Sequence, residues 1–392
     1  MLTAAKIGGV LAQRIGQPAV LGELLAGIVV GGSVFGLVDP HVNTIHLLAE
    51  LGVIVLLLAI GLETDLASLM KVGGAAALVA IVGVVAPFGL GYAGCRMMGL
   101  TNIQSIMAGA TLTATSVGIT ARVLSDLGRL SSKEGQVILG AAVIDDVLGL
   151  IILAVVAGMV DGGEASASMV GIVTLKAFGF LAGALLLGRL IVPWIVKQVD
   201  RLDLPGGLMS LAMILALALA WLADLAGSAP IIGAFAAGLL LAGTVKRHDI
   251  ERDVTRLGYF FVPLFFVAVG AMVDLSALDP RVPGAGRAIG VGVMLVVVGV
   301  IGKFIAGYAA PQFKGDRRIV GVGMIPRGEV GLIFAQMGLA KGVLDEALFG
   351  AVTLMVVVTT FLAPPLLRAL IVKSDTPGPE DESGIADLVT EA

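Results

Sequence analysis

The chain has almost none of the residues that build metal and redox sites. One cysteine, Cys95, stands among 392 residues, which excludes an intramolecular disulfide framework and any multi-cysteine metal site. Three histidines, His41, His46 and His248, are scattered without ligand spacing, so metal chemistry finds no support. Charge is scarce as well. Only 14% of the residues are Asp, Glu, Lys or Arg, and the net charge of -4 argues against a nucleic-acid surface. No Gly-x-x-x-x-Gly-Lys-Ser/Thr loop is present to cradle a nucleotide, so ATP-driven transport is not expected and no cofactor is implied.

What the chain has in excess is apolar and small. With 58% hydrophobic residues, 55 glycines and a mean hydropathy of +1.04, it reads as an all-α integral membrane protein. Thirteen hydrophobic segments follow one another at about 1–13, 18–37, 46–62, 73–95, 103–126, 134–160, 168–196, 206–226, 229–244, 258–273, 285–310, 317–340 and 346–371. The first falls short of the roughly 20 residues that a membrane-spanning helix needs. It also lacks a small-residue cleavage site after Gln13-Arg14, unlike a cleaved signal peptide. Lys and Arg residues between the segments are unevenly shared. Fifteen lie on the side of the C-terminus and four, Arg96, Arg281, Arg287 and Lys341, on the other, which predicts a cytoplasmic C-terminus and an external N-terminus in the cell (inner) membrane.

Against this apolar background, Asp145 and Asp146 stand side by side in the middle of segment 134–160. A carboxylate at mid-membrane costs about 2.5 to 3.5 kcal/mol on insertion scales, so such residues face a bundle interior or a wet cavity and handle ions or protons. A polar knot between helices is the competing reading, but adjacent acids repel one another and weaken it. Lys303 lies deep in segment 285–310, too far from either end to reach water, and calls for a carboxylate partner. Asp145 or Asp146 is the expected one.

A weak internal repeat recurs at an offset of about 210 residues. Ala59-Ile-Gly61 through Leu69 aligns with Ala268-Val-Gly270 through Leu278, Thr115-Ser-Val-Gly-Ile119 with Gly328-Glu-Val-Gly-Leu332, and Gly22-x4-Gly27 with Gly233-x4-Gly238. The copies are seven segments apart, so the second is expected upside down, the arrangement found in secondary transporters with broken helices at mid-membrane. The repeat places two such breaks. Segment 103–126 carries Thr111, Thr113, Thr115, Ser116, Gly118 and Thr120, and its partner 317–340 carries Pro326, Arg327, Gly328, Glu329 and Gly331. Half-helix ends there would offer free carbonyls and amides to an ion, although small residues also serve close helix packing.

These residues resemble a known family. Gln17-Pro18, Gly22-Glu23-x-x-Ala26-Gly27, Gly61-Leu62-Glu63, Ala114 through Arg122, Ala141-Ala-Val-Ile-Asp-Asp-Val-Leu-Gly149 and Pro326-Arg-Gly-Glu-Val-Gly331 are similar to the second bacterial cation/proton antiporter family, and within it to the electrogenic, NapA-type sodium/proton antiporters. The resemblance runs from about residue 13 to 371. It implies two inverted repeats with crossed discontinuous helices, a dimerisation domain, and a core ion-transport domain that moves against it like an elevator in a homodimer. The boundaries that follow are 1–62 for the first dimerisation helices and start of the core, 63–160 for the first core unit, 161–200 for a linking helix, 201–257 for the second dimerisation helices, 258–372 for the second core unit, and 373–392 for a disordered acidic cytoplasmic tail.

Residue by residue, the resemblance gives Asp146 the role of sodium- and proton-binding carboxylate and Asp145 that of the partner of Lys303. It sets Thr115 and Ser116 along the ion path and makes Arg327 and Glu329 a supporting or regulatory charged pair. Asp at 145, where electroneutral members typically have Asn, implies electrogenic exchange. The implied partners are sodium or lithium ions, protons and membrane lipids, in the service of sodium and pH homeostasis. The chemistry is consistent with this on its own terms: neighbouring acids in a low-dielectric site release protons in coupled steps, and a sodium ion can replace the proton's charge. Potassium/proton exchange remains open, as does, at greater distance, sodium-coupled symport of an organic anion. A passive channel fits the buried Asp-Asp-Lys group poorly.

Overall fold

The computed structural model describes residues 1–40, 42–160, 167–273 and 285–375, and every regular element among them is an α-helix. The acidic tail expected to be disordered from residue 373 is helical as far as Asp375, and from 376 onward it lies outside the described residues. The chain opens with α1 (Leu2–Arg14), α2 (Ala19–Val30), α3 (Asn43–Glu63) and the short α4 (Leu66–Lys71). It continues with α5 (Gly73–Met97), α6 (Asn102–Thr111), α7 (Val117–Asp126), α8 (Lys133–Val160) and the long α9 (Ala167–Arg201). Then come α10 (Gly207–Leu225), α11 (Pro230–Ala242), α12 (Arg247–Ala271), α13 (Ala285–Ala306), α14 (Arg317–Gly323), α15 (Glu329–Ala340) and α16 (Glu346–Asp375). Among the described residues, eight helices are long and apolar enough to cross a membrane: α3, α5, α8, α9, α10, α12, α13 and α16.

Where the helices depart from the apolar segments, local chemistry explains it. The segment expected over 18–37 is helical only to Val30, because the chain turns extended at Gly31 (φ -75°, ψ -172°). Segment 258–273 is the second half of α12, whose helix begins earlier, in a charged stretch. Pairs one turn apart stabilise that start: Arg247 with Glu251 at 3.7 Å, Arg252 with Asp249 at 3.6 Å and Arg256 with Asp253 at 3.8 Å. The boundary expected at 257/258 therefore falls inside a continuous helix. Segments 103–126 and 317–340 are each split into two half-helices, by residues 112–116 and 324–328. Thr101 and Gln104 close a capping box at the start of α6. Asp316 caps α14 by accepting from the Arg318 N–H at 2.8 Å, and hydrogen bonds from the Arg318 side chain hold its carboxyl below the usual carboxylate range.

The helices fall into two layers. In one, α3 packs on α11 and α12, α2 on α1 and α12, and α10 on α11; in the other, α5 packs on α6, α8 and α13, while α16 packs on α13, α14 and α15. The helix α9 touches α8 on one side and α10 and α11 on the other. Two glycine pairs set how closely the helices of the first layer approach. A Cβ on Gly61 would lie 2.4 Å from the Phe235 carbonyl oxygen and one on Gly238 2.3 Å from that of Leu58; one on Gly27 would lie 2.3 Å from that of Val267 and one on Gly270 2.1 Å from that of Leu24. Backbones this close leave no room for any side chain.

Gly61→Val and Gly238→Val are therefore expected to destabilise the protein by about 1–3 kcal/mol through overpacking, seen as a lower Tm in detergent. Gly74→Ala in α5, whose new Cβ meets nothing within 4 Å, is expected to leave the Tm unchanged or slightly raised.

Candidate ion-binding site

The two breaks cross. The Ser116 N–H donates to the Pro326 carbonyl at 2.8 Å, the Thr115 hydroxyl to the Met324 carbonyl at 3.2 Å, and the Thr120 hydroxyl to the Gly323 carbonyl at 2.6 Å. Proline ends the regular pattern at 326 because it has no N–H. Gly328 has no side chain because one would strike Ser116: its Cβ would lie 2.7 Å from Ser116 Oγ. Of the hydroxyls expected in this region, those of Thr111 and Thr113 turn back onto their own helix, to Ala108 and Ala110.

Interrupting a helix leaves carbonyls without partners at the C-terminal end of its first half, and these carry the negative end of the helix dipole. Two buried cations meet them here. Lys303 Nζ donates to the Thr113 carbonyl at 2.6 Å, and Arg327 Nη1 to the Ala114 and Met324 carbonyls at 3.2 and 3.4 Å. Both side chains are wholly buried. Arg327 is held from α16 as well, where the Thr360 hydroxyl donates to its carbonyl. Lys303 reaches the crossing because α13 comes close to α5: a Cβ on Gly302 would meet Pro87 at 2.8 Å, and one on Gly83 would lie 3.4 Å from Nζ.

Lys303 also pairs with Asp145, at 3.1 and 3.3 Å to its two carboxylate oxygens. The pair is fully buried, so each charge depends on the other for its solvation. Asp146, one residue further on and therefore about 100° round the helix, points elsewhere. It lines a cavity of about 10 Å³ together with Leu139 and Val143 of α8, Val117 of α7, Leu57 of α3, and Ile231, Ile232 and Phe235 of α11. That is the space of about one water molecule, and it lies where the two helix layers meet. Of the seven residues singled out from the sequence, Asp145, Lys303, Thr115, Ser116 and Arg327 converge on the crossing. Asp146 opens beside it, and Glu329 starts α15, its side chain lying outside the described residues.

Several contributors carried little signal in the sequence. Thr360 is one hydroxyl in a long apolar helix, and Gly83 and Gly302 matter only through what passes them. Elsewhere, Asp65 caps α4 and Glu63 accepts from the Ser125 hydroxyl at 3.2 Å. Glu23 is buried in α2, with no partner for Oε2 among the described residues.

Crossed half-helices around a buried acid pair, in a bundle of apolar helices, are the architecture of a transporter and not of an enzyme; the class is that of the cation/proton antiporters. The family model described as the transmembrane sodium/hydrogen exchanger matches residues 2–373, and the chain belongs to that family. It is 43% identical to the "High-affinity Na(+)/H(+) antiporter NhaS3" of Synechocystis sp., with 94% of this chain and 87% of that protein aligned. It is 36% identical to the "Na(+)/H(+)-K(+) antiporter GerN" of Bacillus cereus, with 94% of each covered. Its fold is also similar to that of the sodium proton antiporter MjNhaP1 from Methanocaldococcus jannaschii, with a TM-score of 0.66, 16% identity and 93% of each chain covered.

Removing the ammonium in Lys303→Ala would strand the Asp145 carboxylate in the bundle, with an expected loss of about 3–5 kcal/mol. Replacing both partners in Asp145→Leu/Lys303→Leu is expected to recover a substantial part of it. Chemical denaturation of the single and double variants checks this: a double variant no more stable than Lys303→Ala would contradict the buried pair.

Proposed function

We propose that this protein exchanges sodium for protons across the cell membrane, with Asp146 holding either a sodium ion or a proton. The observation that carries this reading is the division of labour between adjacent carboxylates: Asp145 is engaged by Lys303, while Asp146 faces a cavity of about one water's volume between the layers. Because one carboxylate serves both cargoes, sodium binding requires proton release. Coupling follows if the site changes sides only when loaded. The names of the Synechocystis and Bacillus cereus relatives, both sodium/proton antiporters, support sodium as a cargo. Lithium, with the same charge and a smaller radius, is read as a second substrate.

The moving unit in this reading is the layer of α5–α8 and α13–α16, a core sliding like an elevator against α1–α3 and α10–α12, with α9 linking the two. An inverted repeat is supported by the reciprocal glycine contacts. Gly27 meets Gly270 and Gly61 meets Gly238, and at the offset of about 210 residues one contact maps onto the other. We further read the protein as a homodimer in the cell (inner) membrane, with the N-terminus outside and the C-terminus in the cytoplasm. Thr115, Ser116, Arg327 and Glu329 act as supports of the crossing, and Thr115 and Ser116 border the ion path. Exchange is read as electrogenic because Asp145 and Lys303 form a second titratable unit beside the cargo site. When sodium binds, Lys303 gives up a second proton. Potassium/proton exchange is the second reading, favoured by the potassium in the name of the Bacillus cereus relative.

In proteoliposomes loaded with a pH dye, sodium and lithium are expected to collapse an imposed proton gradient in the wild type and to leave it intact in Asp146→Asn. Collapse by potassium alone would favour the second reading, and no collapse by any of the three cations in folded protein would end both. Lys303→Gln is expected to lower the number of protons exchanged per sodium; an unchanged ratio would remove Lys303 from the proton count.

A further inference from the structure

The least buried of the long helices is α9, with only 11% of its most apolar window enclosed by protein. Where Gly188 passes Leu240, α9 and α11 are in tight contact: a Cβ on Gly188 would lie 2.3 Å from Leu240 Cδ1. Nearer its start, Gly179 and Gly183 face open space, with nothing within 4 Å of the position of a Cβ. The result is a groove of about 430 Å³ between α9, α10 and α11, with Phe180, Leu187, Leu215, Leu219 and Leu222 among its walls and no charged residue lining it.

The chemistry at the groove's end identifies what fills it. Lys176 is exposed and stands one turn before Gly179 and Phe180, on the same side of α9. Lys176 and Lys197 are 21 residues apart, about 31 Å along a helix, which matches the roughly 30 Å hydrocarbon thickness of a bilayer. Lys176 is thus placed at the headgroup level of one leaflet, with the apolar groove directly below it, and its ammonium makes no ion pair among the described residues. A long hydrocarbon chain ending in a negative charge matches both halves of the site.

We propose that this groove binds an anionic phospholipid from the leaflet opposite Lys197, its acyl chain lying between α9 and the α10–α11 pair and its phosphate held by Lys176. The lipid wedges the linking helix against the first layer and takes the place of side chains that Gly179 and Gly183 lack. This site is independent of the cation site and of the reading of transport given above.

The test uses the full chain purified in detergent, with phosphatidylglycerol and phosphatidylcholine of the same acyl chains as probes. Phosphatidylglycerol is expected to raise the Tm of the wild type saturably and by more than phosphatidylcholine does. Lys176→Gln is expected to lose that preference. Gly179→Leu/Gly183→Leu fills the groove from within and is expected to lose the response to both lipids while its lipid-free Tm does not fall. Native mass spectrometry gives a second readout on unmutated protein, expected to retain phosphatidylglycerol through purification where Lys176→Gln retains less. The proposal is overturned if the filled-groove variant responds to phosphatidylglycerol as the wild type does, or if Lys176→Gln keeps both its preference and its bound lipid.

Discussion

Everything at the centre of this protein depends on neutralising the ends of interrupted helices where no water reaches. A continuous helix satisfies its own carbonyls, and a break at mid-membrane exposes several of them at once. Here the C-terminal ends of α6 and α14 meet at the crossing, and their partial negative charges would repel if left bare. Lys303 and Arg327 sit on those ends, with hydrogen bonds to Thr113, Ala114 and Met324. Two full positive charges buried this way demand carboxylates in turn, and Asp145 answers Lys303 at 3.1 Å. Asp145, the buried lysine and the broken helices are thus one electrostatic unit, and removing Asp145 or Lys303 leaves its partner without solvation.

Much of this unit was legible in the sequence, because charged and breaking residues are conspicuous in an apolar chain. Asp145, Asp146 and Lys303 announce themselves by what they cost in a membrane, and Pro326 and Gly328 by what they do to a helix. The sequence anticipated a carboxylate for Lys303, but not the Thr113 carbonyl, because a backbone acceptor carries no residue signature. Thr360 escaped for a related reason: a hydroxyl in a long helix usually bonds back to its own turn, as that of Thr359 does to Met355. Helix ends were the weakest part of the reading. Hydropathy runs on through Gly31 while the helix stops there, and it misses the start of α12, where paired charges and not apolar residues sustain the helix.

The adjacency of Asp145 and Asp146 also has a geometric meaning that composition cannot express. On one helix, consecutive side chains diverge by about 100°, so α8 can present one carboxylate to its own layer and the next to the boundary. Lys303, which pairs with Asp145, belongs to its own layer. The cavity beside Asp146 is walled on its far side by Leu57, Ile231, Ile232 and Phe235, from α3 and α11. If the layers slide as proposed, Asp145, Lys303 and Thr113 move together within one layer, and what changes is the wall facing Asp146. The apolar character of that wall then matters as much as the acid. Leu, Ile and Phe side chains offer a carboxylate no hydrogen bonds, so a charged Asp146 crossing that face meets a desolvation penalty that a protonated or cation-loaded one largely escapes. Obligatory exchange would then follow from the chemistry of the boundary, with no separate gate required to enforce it.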